Sequence, residues 1–461
     1  MKILFDHTNL LADIAGKGNG VTRAEVERGR GKAVKALRDF QKKSEAHEYG
    51  FPHLPFQQDV IGAVRRYAAE VQGTYDTVCL AGIGGSALGA WALDCGIRGP
   101  HPVQRGGPRL VILDNVDPAF TAQALDTMNP KKTLTVVIAK SGSTAETVAT
   151  FLILRDWLRQ ALGKKFSRRV AAVTTEGKGD LYELSQREGY RTFFIPENVG
   201  GRFSVLSAVG LLPAALIGID IRKLARGAAD MTHLCWQQDL EANIALRAAL
   251  HHWLLLTTKN KPIQVAFPYS NHLWGTAFWF RQLWAESLGK AQTRSGELKN
   301  IGQTPVAALG TTDQHSQVQL YIEGPNDKVF TFWAVERFAS PGRLPKEKPG
   351  LPAFDYLAGQ SLSKLIDAER RATAAAMTAA GRPNGTFTLG RVDEEHLGAF
   401  LQMMEFETAF MGELLDINAF DQEGVELGKK YTFGLMARMG FEQFRKEFDE
   451  YEAKRSGIFK A

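Results

Sequence analysis

Glu286 and Gln282 lie four residues apart within the apolar stretch 273–288, so a helix there carries both on one face, amid Trp274, Trp279, Phe280 and Trp284. A carboxylate in largely apolar surroundings, in the last turn before the candidate C-cap Gly289, also meets the negative end of the helix dipole, and both settings favour its proton-holding form. That tuning suits a base taking a proton from a carbon next to a carbonyl, although the spacing also fits a surface glutamate paired with Lys290. His315 follows the apolar run 305–309 in the loop Gly310-Thr311-Thr312-Asp313-Gln314-His315, at the C-terminal end of an expected strand. Arg202 in Gly200-Gly201-Arg202-Phe203-Ser204 and Lys429 in Gly424-Val425-Glu426-Leu427-Gly428-Lys429 are cations near helix ends. Arg202 has the chemistry to stabilise a developing oxyanion and Lys429 to move a proton or hold a hydroxyl; alternatively, each is a solvated cation.

Glycine- and hydroxyl-rich turns supply a seat for an anion. The run Gly82-Ile83-Gly84-Gly85-Ser86-Ala87-Leu88-Gly89 follows the apolar segment 77–81 and opens a helical pattern, so backbone N–H groups and the helix dipole favour negative charge there. Gly82-x-Gly84-x-x-Ala87 also meets the dinucleotide fingerprint, with Asp114 as ribose partner, and a plain tight turn explains it too. The second turn, Lys140-Ser141-Gly142-Ser143-Thr144-Ala145-Glu146-Thr147, follows the run 134–139 and repeats the pattern, unless Ser143 or Thr144 is only an N-cap. Two such turns at the ends of neighbouring parallel strands converge on one crevice and favour a sugar monophosphate held at its phosphate end.

The scaffold must place these turns side by side. Apolar runs at 77–81, 109–113, 134–139, 170–174 and 192–195, mostly followed by helical patterns, predict a parallel sheet covered on both faces. The pattern restarts with 262–267, 305–309, 329–335 and 386–389, which predicts a second α/β domain, and helices are expected over 204–219, 357–380, 394–415 and 441–455. The expected division is a helical N-terminal arm at 1–55, one domain at 56–225, a second at 226–435 and a helical tail at 436–461.

Composition restricts the remaining possibilities. The 461 residues are 44% hydrophobic and 23% charged, which excludes a disordered or fibrous chain. A formal charge of +6 without any long block of like charge suits small anions better than nucleic acid. Cys79, Cys95 and Cys235 are widely spaced and give neither a disulfide framework nor a metal motif, pointing to a reducing, cytoplasmic setting; His251-His252 lack metal-ligand spacing and read as packing or surface residues. Neither a signal peptide nor a membrane span is expected, since the best apolar run, 208–219, is interrupted by Pro213.

Taken together, the motifs resemble those of the glucose-6-phosphate isomerase, or phosphoglucose isomerase, family in its shorter bacterial form. The long segments Glu197-Asn198-Val199-Gly200-Gly201-Arg202-Phe203-Ser204 and Phe420-Asp421-Gln422-Glu423-Gly424-Val425-Glu426-Leu427-Gly428-Lys429 carry the resemblance, and the stretches 82–89, 282–290 and 310–315 follow in the family's order. The resemblance implies two sugar-isomerase (SIS) domains, each a flavodoxin-like parallel sheet with helices on both faces. It also implies interconversion of glucose 6-phosphate and fructose 6-phosphate without metal or nucleotide cofactor.

By motif position, Gly85, Ser86, Lys140, Ser141, Gly142, Ser143 and Thr144 would hold the phosphate. Glu286 would shuttle the proton, Arg202 would stabilise the enediolate, His315 and Lys429 would open the ring, and Gln282 would orient substrate. The resemblance further implies a homodimer in which the neighbouring subunit supplies the histidine, with no nucleic-acid or membrane partner. One departure is Ala139, where many relatives carry serine; it removes a hydroxyl from the phosphate seat. A nicotinamide dehydrogenase leaves the second turn unexplained, and a sugar-phosphate sensor has no use for Glu286, His315 and Lys429 together. A dual glucose/mannose phosphate isomerase stays open, although such relatives typically lack the histidine.

Overall fold

The computed structural model describes residues 2–101, 107–140, 142 and 144–455. Its strands are β1 (Ile3–Asp6), β2 (Thr77–Ala81), β3 (Arg109–Leu113), β4 (Thr133–Ile138), β5 (Val170–Thr174), β6 (Arg191–Phe194), β7 (Ile263–Pro268), β8 (Lys290–Gln292), β9 (Leu298–Ile301), β10 (Thr304–Ala307), β11 (Lys328–Val335) and β12 (Asn384–Leu389). Every residue of β2, β4, β5 and β11 is buried, as continuous apolar and β-branched runs require when helices cover both faces.

The first sheet has the order β3-β2-β4-β5-β6 and is parallel throughout. Its crossovers run in opposite directions from β2, the switch point of a flavodoxin-like sheet, so the turns after β2 and β4 border one crevice. Ala81 pairs with Leu113 on one side and Val137 on the other, which puts both turns at the same edge. The second sheet repeats the topology as β12-β11-β7-β10, with β1 added antiparallel to β12.

The helix Glu394–Leu415 is buried over nearly its whole length and is packed by the helices Ile221–Cys235, Ile244–Lys259 and Arg23–Glu45. Close approach is possible because Gly227 and Gly398 lack side chains where the backbones at Glu395 and Leu224 cross them. The expected surface-or-packing pair His251-His252 is wholly internal, and His252 Nδ1 meets the buried Glu407 carboxylate at 2.7 Å.

The N-terminal arm is not purely helical as expected. Ile3–Asp6 pairs with Leu389 to Thr386, because an open parallel edge offers backbone groups that a short chain can satisfy. Thr22 then caps the helix Arg23–Glu45 reciprocally with Glu25, a device worth about 1 kcal/mol. The helix expected over 357–380 begins later, at Leu362, where Ser361 caps it, and the one expected over 204–219 is confined to Ala208–Leu216 behind its cap Ser207.

Residues up to Ala419 form one compact unit and residues from Phe420 another, so the C-terminal unit starts before the expected boundary at 436. In that unit the helices Glu426–Leu435 and Glu442–Arg455 pack through Tyr431 on Phe448, and Phe433 meets Phe441 just before the second helix. Gly434 leaves room for the backbone at Arg445.

Candidate active site

The helix Trp274–Leu288 follows β7 and presents two unlike faces. Trp279, Phe280, Leu283 and Trp284 are buried, with Phe280 packed edge-on against Trp333 of β11, whereas Gln282 and Glu286 look toward the first domain. Gly289 ends the helix through its N–H to the Ala285 carbonyl, which leaves Glu286 in the last turn as expected. The surroundings of Glu286 differ from the apolar ones expected. At helical spacing Trp284 projects away from it, and the side chain is one-third exposed beside polar groups.

Those groups converge from separate elements. Gln282 Nε2 donates to Glu286 Oε1 at 3.2 Å, and Arg202 Nη1 stands 3.7 Å from Glu286 Oε2. Gln282 Oε1 is buried without a hydrogen-bond partner among the described residues. Arg202 lies in the short helix Gly201–Phe203 with its side chain only 2% exposed. Its Nε donates to Ser287 Oγ at 2.7 Å and its Nη2 to the Ala419 carbonyl at 2.5 Å. These bonds hold the buried guanidinium in fixed geometry, as electrostatic stabilisation of an oxyanion requires. Lys290 Nζ donates to the main-chain carbonyl of Glu286 at 3.0 Å.

The first glycine turn closes on the same place. Gly84 adopts φ +57, and a Cβ there would stand 2.8 Å from Gln282 Nε2. A Cβ on Gly85 would overlap the Gly201 carbonyl, so only glycine brings this turn against the arginine segment. Ser86 ends the turn, half-buried.

In the second turn, Ser141 and Ser143 lie outside the described residues. Gly142 has φ +70, and its α-carbon faces the backbone of Leu181. Thr144 occupies the N-cap position of the helix Ala145–Leu162, yet its hydroxyl makes no capping bond, so a local cap does not account for it. Lys140 Nζ donates to the carbonyls of Glu197 at 2.8 Å and Val199 at 3.0 Å, and burial holds its ammonium below the usual lysine range.

His315 is not joined to this cluster within the chain. It ends the short helix Thr312–His315 after β10, exposed, with no hydrogen bond or ion pair to Glu286, Arg202 or Gln282 among the described residues. Its loop is fixed by Asp313, which accepts from Leu309 N at 2.6 Å, and by Gln314, which accepts from Tyr269 OH at 2.7 Å. Lys429 belongs to the C-terminal unit, where it pairs with Glu426 at 2.7 Å. Ser287 and the Ala419 carbonyl, the anchors of Arg202, went unnoticed in the sequence; the only signal was a polar residue next to Glu286 on its helix.

Asp114, the ribose partner of the dinucleotide reading, is exposed directly after β3, and the desolvation its carboxyl does undergo raises it above the usual range. All three cysteines are buried and free. Among the described residues no helix is long and apolar enough to cross a membrane.

The model of the phosphoglucose isomerase family matches residues 64–452. A glucose-6-phosphate isomerase of Carboxydothermus hydrogenoformans is 43% identical over 431 residues, 92% of each chain. One of Rubrobacter xylanophilus is 40% identical over 95% of this chain and 99% of its own. Among solved structures, a hypothetical protein of Thermus thermophilus superposes with a TM-score of 0.86 at 37% identity, covering 95% of this chain and all of that one. With the two-sheet architecture and the match across most of its length, the chain belongs to the phosphoglucose isomerase family.

Proposed function

We propose that the protein is a glucose-6-phosphate isomerase, interconverting D-glucose 6-phosphate and D-fructose 6-phosphate. The observation that carries this reading is the Glu286 carboxylate set between Gln282 and the buried Arg202 guanidinium, against the Gly84–Gly85 turn. Gly85, Ser86, Lys140, Ser141, Gly142, Ser143 and Thr144 hold the phosphate, and Gln282 orients the sugar.

In the open-chain aldose, Glu286 removes the C2 proton, and the electron pair forms the C1–C2 double bond as negative charge develops on O1. Arg202 stabilises that enediolate. The O2 proton is lost, O1 is protonated, and Glu286, its proton exchanged with solvent, protonates C1, leaving the ketone at C2. A single base serving both steps requires a carboxyl that is oriented and also reachable by solvent, so that its proton exchanges with water between them, and the one-third exposed Glu286 side chain meets that need. His315 and Lys429 exchange the protons of ring opening and closure.

The active form is a homodimer in which the partner copy supplies His315; the exposed position of this histidine supports that reading. The buried thiols fit a reducing compartment, and the cytoplasm is the proposed location.

The test is NMR of the purified, metal-stripped protein with glucose 6-phosphate in deuterated water. Fructose 6-phosphate carrying deuterium at C1 is expected; binding without turnover would point instead to a sugar-phosphate sensor. The shared site is tested by mixing inactive Glu286→Gln and His315→Ala proteins, which should regain activity through mixed dimers. No recovery despite proven subunit exchange would place both residues in one copy's site.

A further inference from the structure

The N-terminal arm lies before the region that the family model matches, and nothing above gives it chemistry. It nevertheless touches both segments that hold Arg202. On one side, Asn198 Nδ2 donates to the His47 carbonyl at 2.8 Å and the Gly50 N–H donates to the Asn198 carbonyl at 3.0 Å, four residues before the arginine. Gly50 also lies where a Cβ would run into Asn198 and Val199, so the contact is close.

On the other side, Lys43 reaches Glu413, whose side chain is 3% exposed. Lys43 Nζ lies 2.9 Å from both carboxylate oxygens. Arg294 meets the same carboxylate in a fork, Nη1 to Oε2 at 2.7 Å and Nη2 to Oε1 at 2.6 Å, and its backbone N–H donates to the Asp416 carbonyl at 2.8 Å. Asp416, in left-handed conformation, turns the chain out of the helix Glu394–Leu415. Three residues later comes the Ala419 carbonyl that takes Arg202 Nη2.

We propose that Glu413, held between Lys43 of the arm and Arg294 of the β8–β9 hairpin, is a positioning residue for Arg202 and acts through the 416–419 connection. The physical basis is the cost of burying a carboxylate. Both cations share the compensation of the buried Glu413 charge, so the ends of three elements are drawn together at one point. The hairpin begins directly after Gly289, which links the same point to the end of the Glu286 helix. Displacement of the Ala419 carbonyl releases one corner of the guanidinium. A charge meant for the enediolate then loses its orientation while phosphate binding is untouched.

The inference rests on the isomerase reading, in which Arg202 acts on the enediolate. The test compares the full-length wild-type protein with Lys43→Met, Lys43→Arg and Glu413→Gln in the glucose 6-phosphate assay, each checked for native circular dichroism. Lys43→Met and Glu413→Gln should lower kcat about ten-fold with KM changed less than about two-fold, and Lys43→Arg should recover most of the loss. Arg30→Met, which breaks an exposed ion pair with Glu27 on the same helix, should keep the wild-type kcat. Should Glu413→Gln fail to fold, Lys43→Met decides, because it leaves Glu413 with Arg294. Folded variants with wild-type kcat, or a loss confined to KM or thermal stability, overturn the inference; an inactive wild-type protein overturns the functional reading and this inference with it.

Discussion

The helix Leu88–Arg98 after β2 and the helix Trp274–Leu288 after β7 lie against each other in opposite directions, so the start of each meets the end of the other. At one junction Gly84 and Gly85 meet Gln282, with Arg202 and Glu286 beside them. At the other, Gly275 packs on Cys95 and Ala92, the Cys95 thiol donates to the Asn271 carbonyl at 3.3 Å, and His272 Nδ1 bonds the Gly96 carbonyl at 2.8 Å. The two junctions share a topology and differ in what their polar atoms do. At the second, the thiol, the imidazole and the carbonyls are used on one another; at the first, Gln282 Oε1 and a third of the Glu286 side chain remain uncommitted. Duplicated architecture thus gives one end to chemistry and the other to cohesion.

The comparison breaks most sharply at the open junction with Glu286→Gln, which preserves shape and removes the base. Turnover should fall about 10³-fold with sugar-phosphate binding kept, read by NMR exchange and titration calorimetry. Gly85→Ala should follow with a fall of about ten-fold in kcat/KM, because the added methyl forces the turn away from Gly201 and Arg202. Unchanged kinetics in a folded Gly85→Ala protein would show that the close approach is not needed.

The matching substitution at the closed junction, Gly275→Ala, places a methyl 2.9 Å from Cys95 Cβ. It should cost about 1–3 kcal/mol in urea unfolding and leave kcat/KM of the folded protein as it was. An activity loss as large as that of Gly85→Ala would erase the distinction between the two ends.

The smallest expected effect concerns the thiol. Burial pushes the Cys95 thiol above the ordinary range, and Cys79 is pushed up to about 12. A group raised this way holds its proton as pH rises through the usual thiol range, so a thiol reagent at pH 8 should label neither before unfolding. Rapid labelling of Cys95 in the native protein would mean that the closed junction opens.

Much of this was written in local sequence. The strands Thr77–Ala81, Arg109–Leu113 and Val170–Thr174 and the helix Glu394–Leu415 have the limits expected, since the buried strands, the apolar edge strand and the almost wholly buried helix leave unambiguous apolar runs. Ile3–Asp6 did not read as a strand because its partner lies at 386–389, and no local pattern announces so distant an edge. The β8–β9 hairpin was missed because its residues are largely exposed and polar, without alternation.

At the site, the composition of the motifs pointed to Glu286, Gln282, Arg202 and the Gly84–Gly85 turn. The surroundings of Glu286 were misjudged because Trp284 is near it in sequence but on the other side of the helix. The anchor at Ala419 was illegible for a different reason, since it uses a main-chain oxygen that every residue possesses.

The pairing of β1 with β12 also orders the protein's birth. Residues 3–6 leave the ribosome early, but their hydrogen-bonding partner, Thr386–Leu389, is made hundreds of residues later. The first sheet, complete at Phe194, has all its strands available before β7 is synthesised. The nascent chain must therefore carry an unsatisfied N-terminal segment past one finished sheet until the last strand of the other emerges. Closure of that sheet is a long-range, slow event, and the interval before it is when the chain most depends on protection from aggregation.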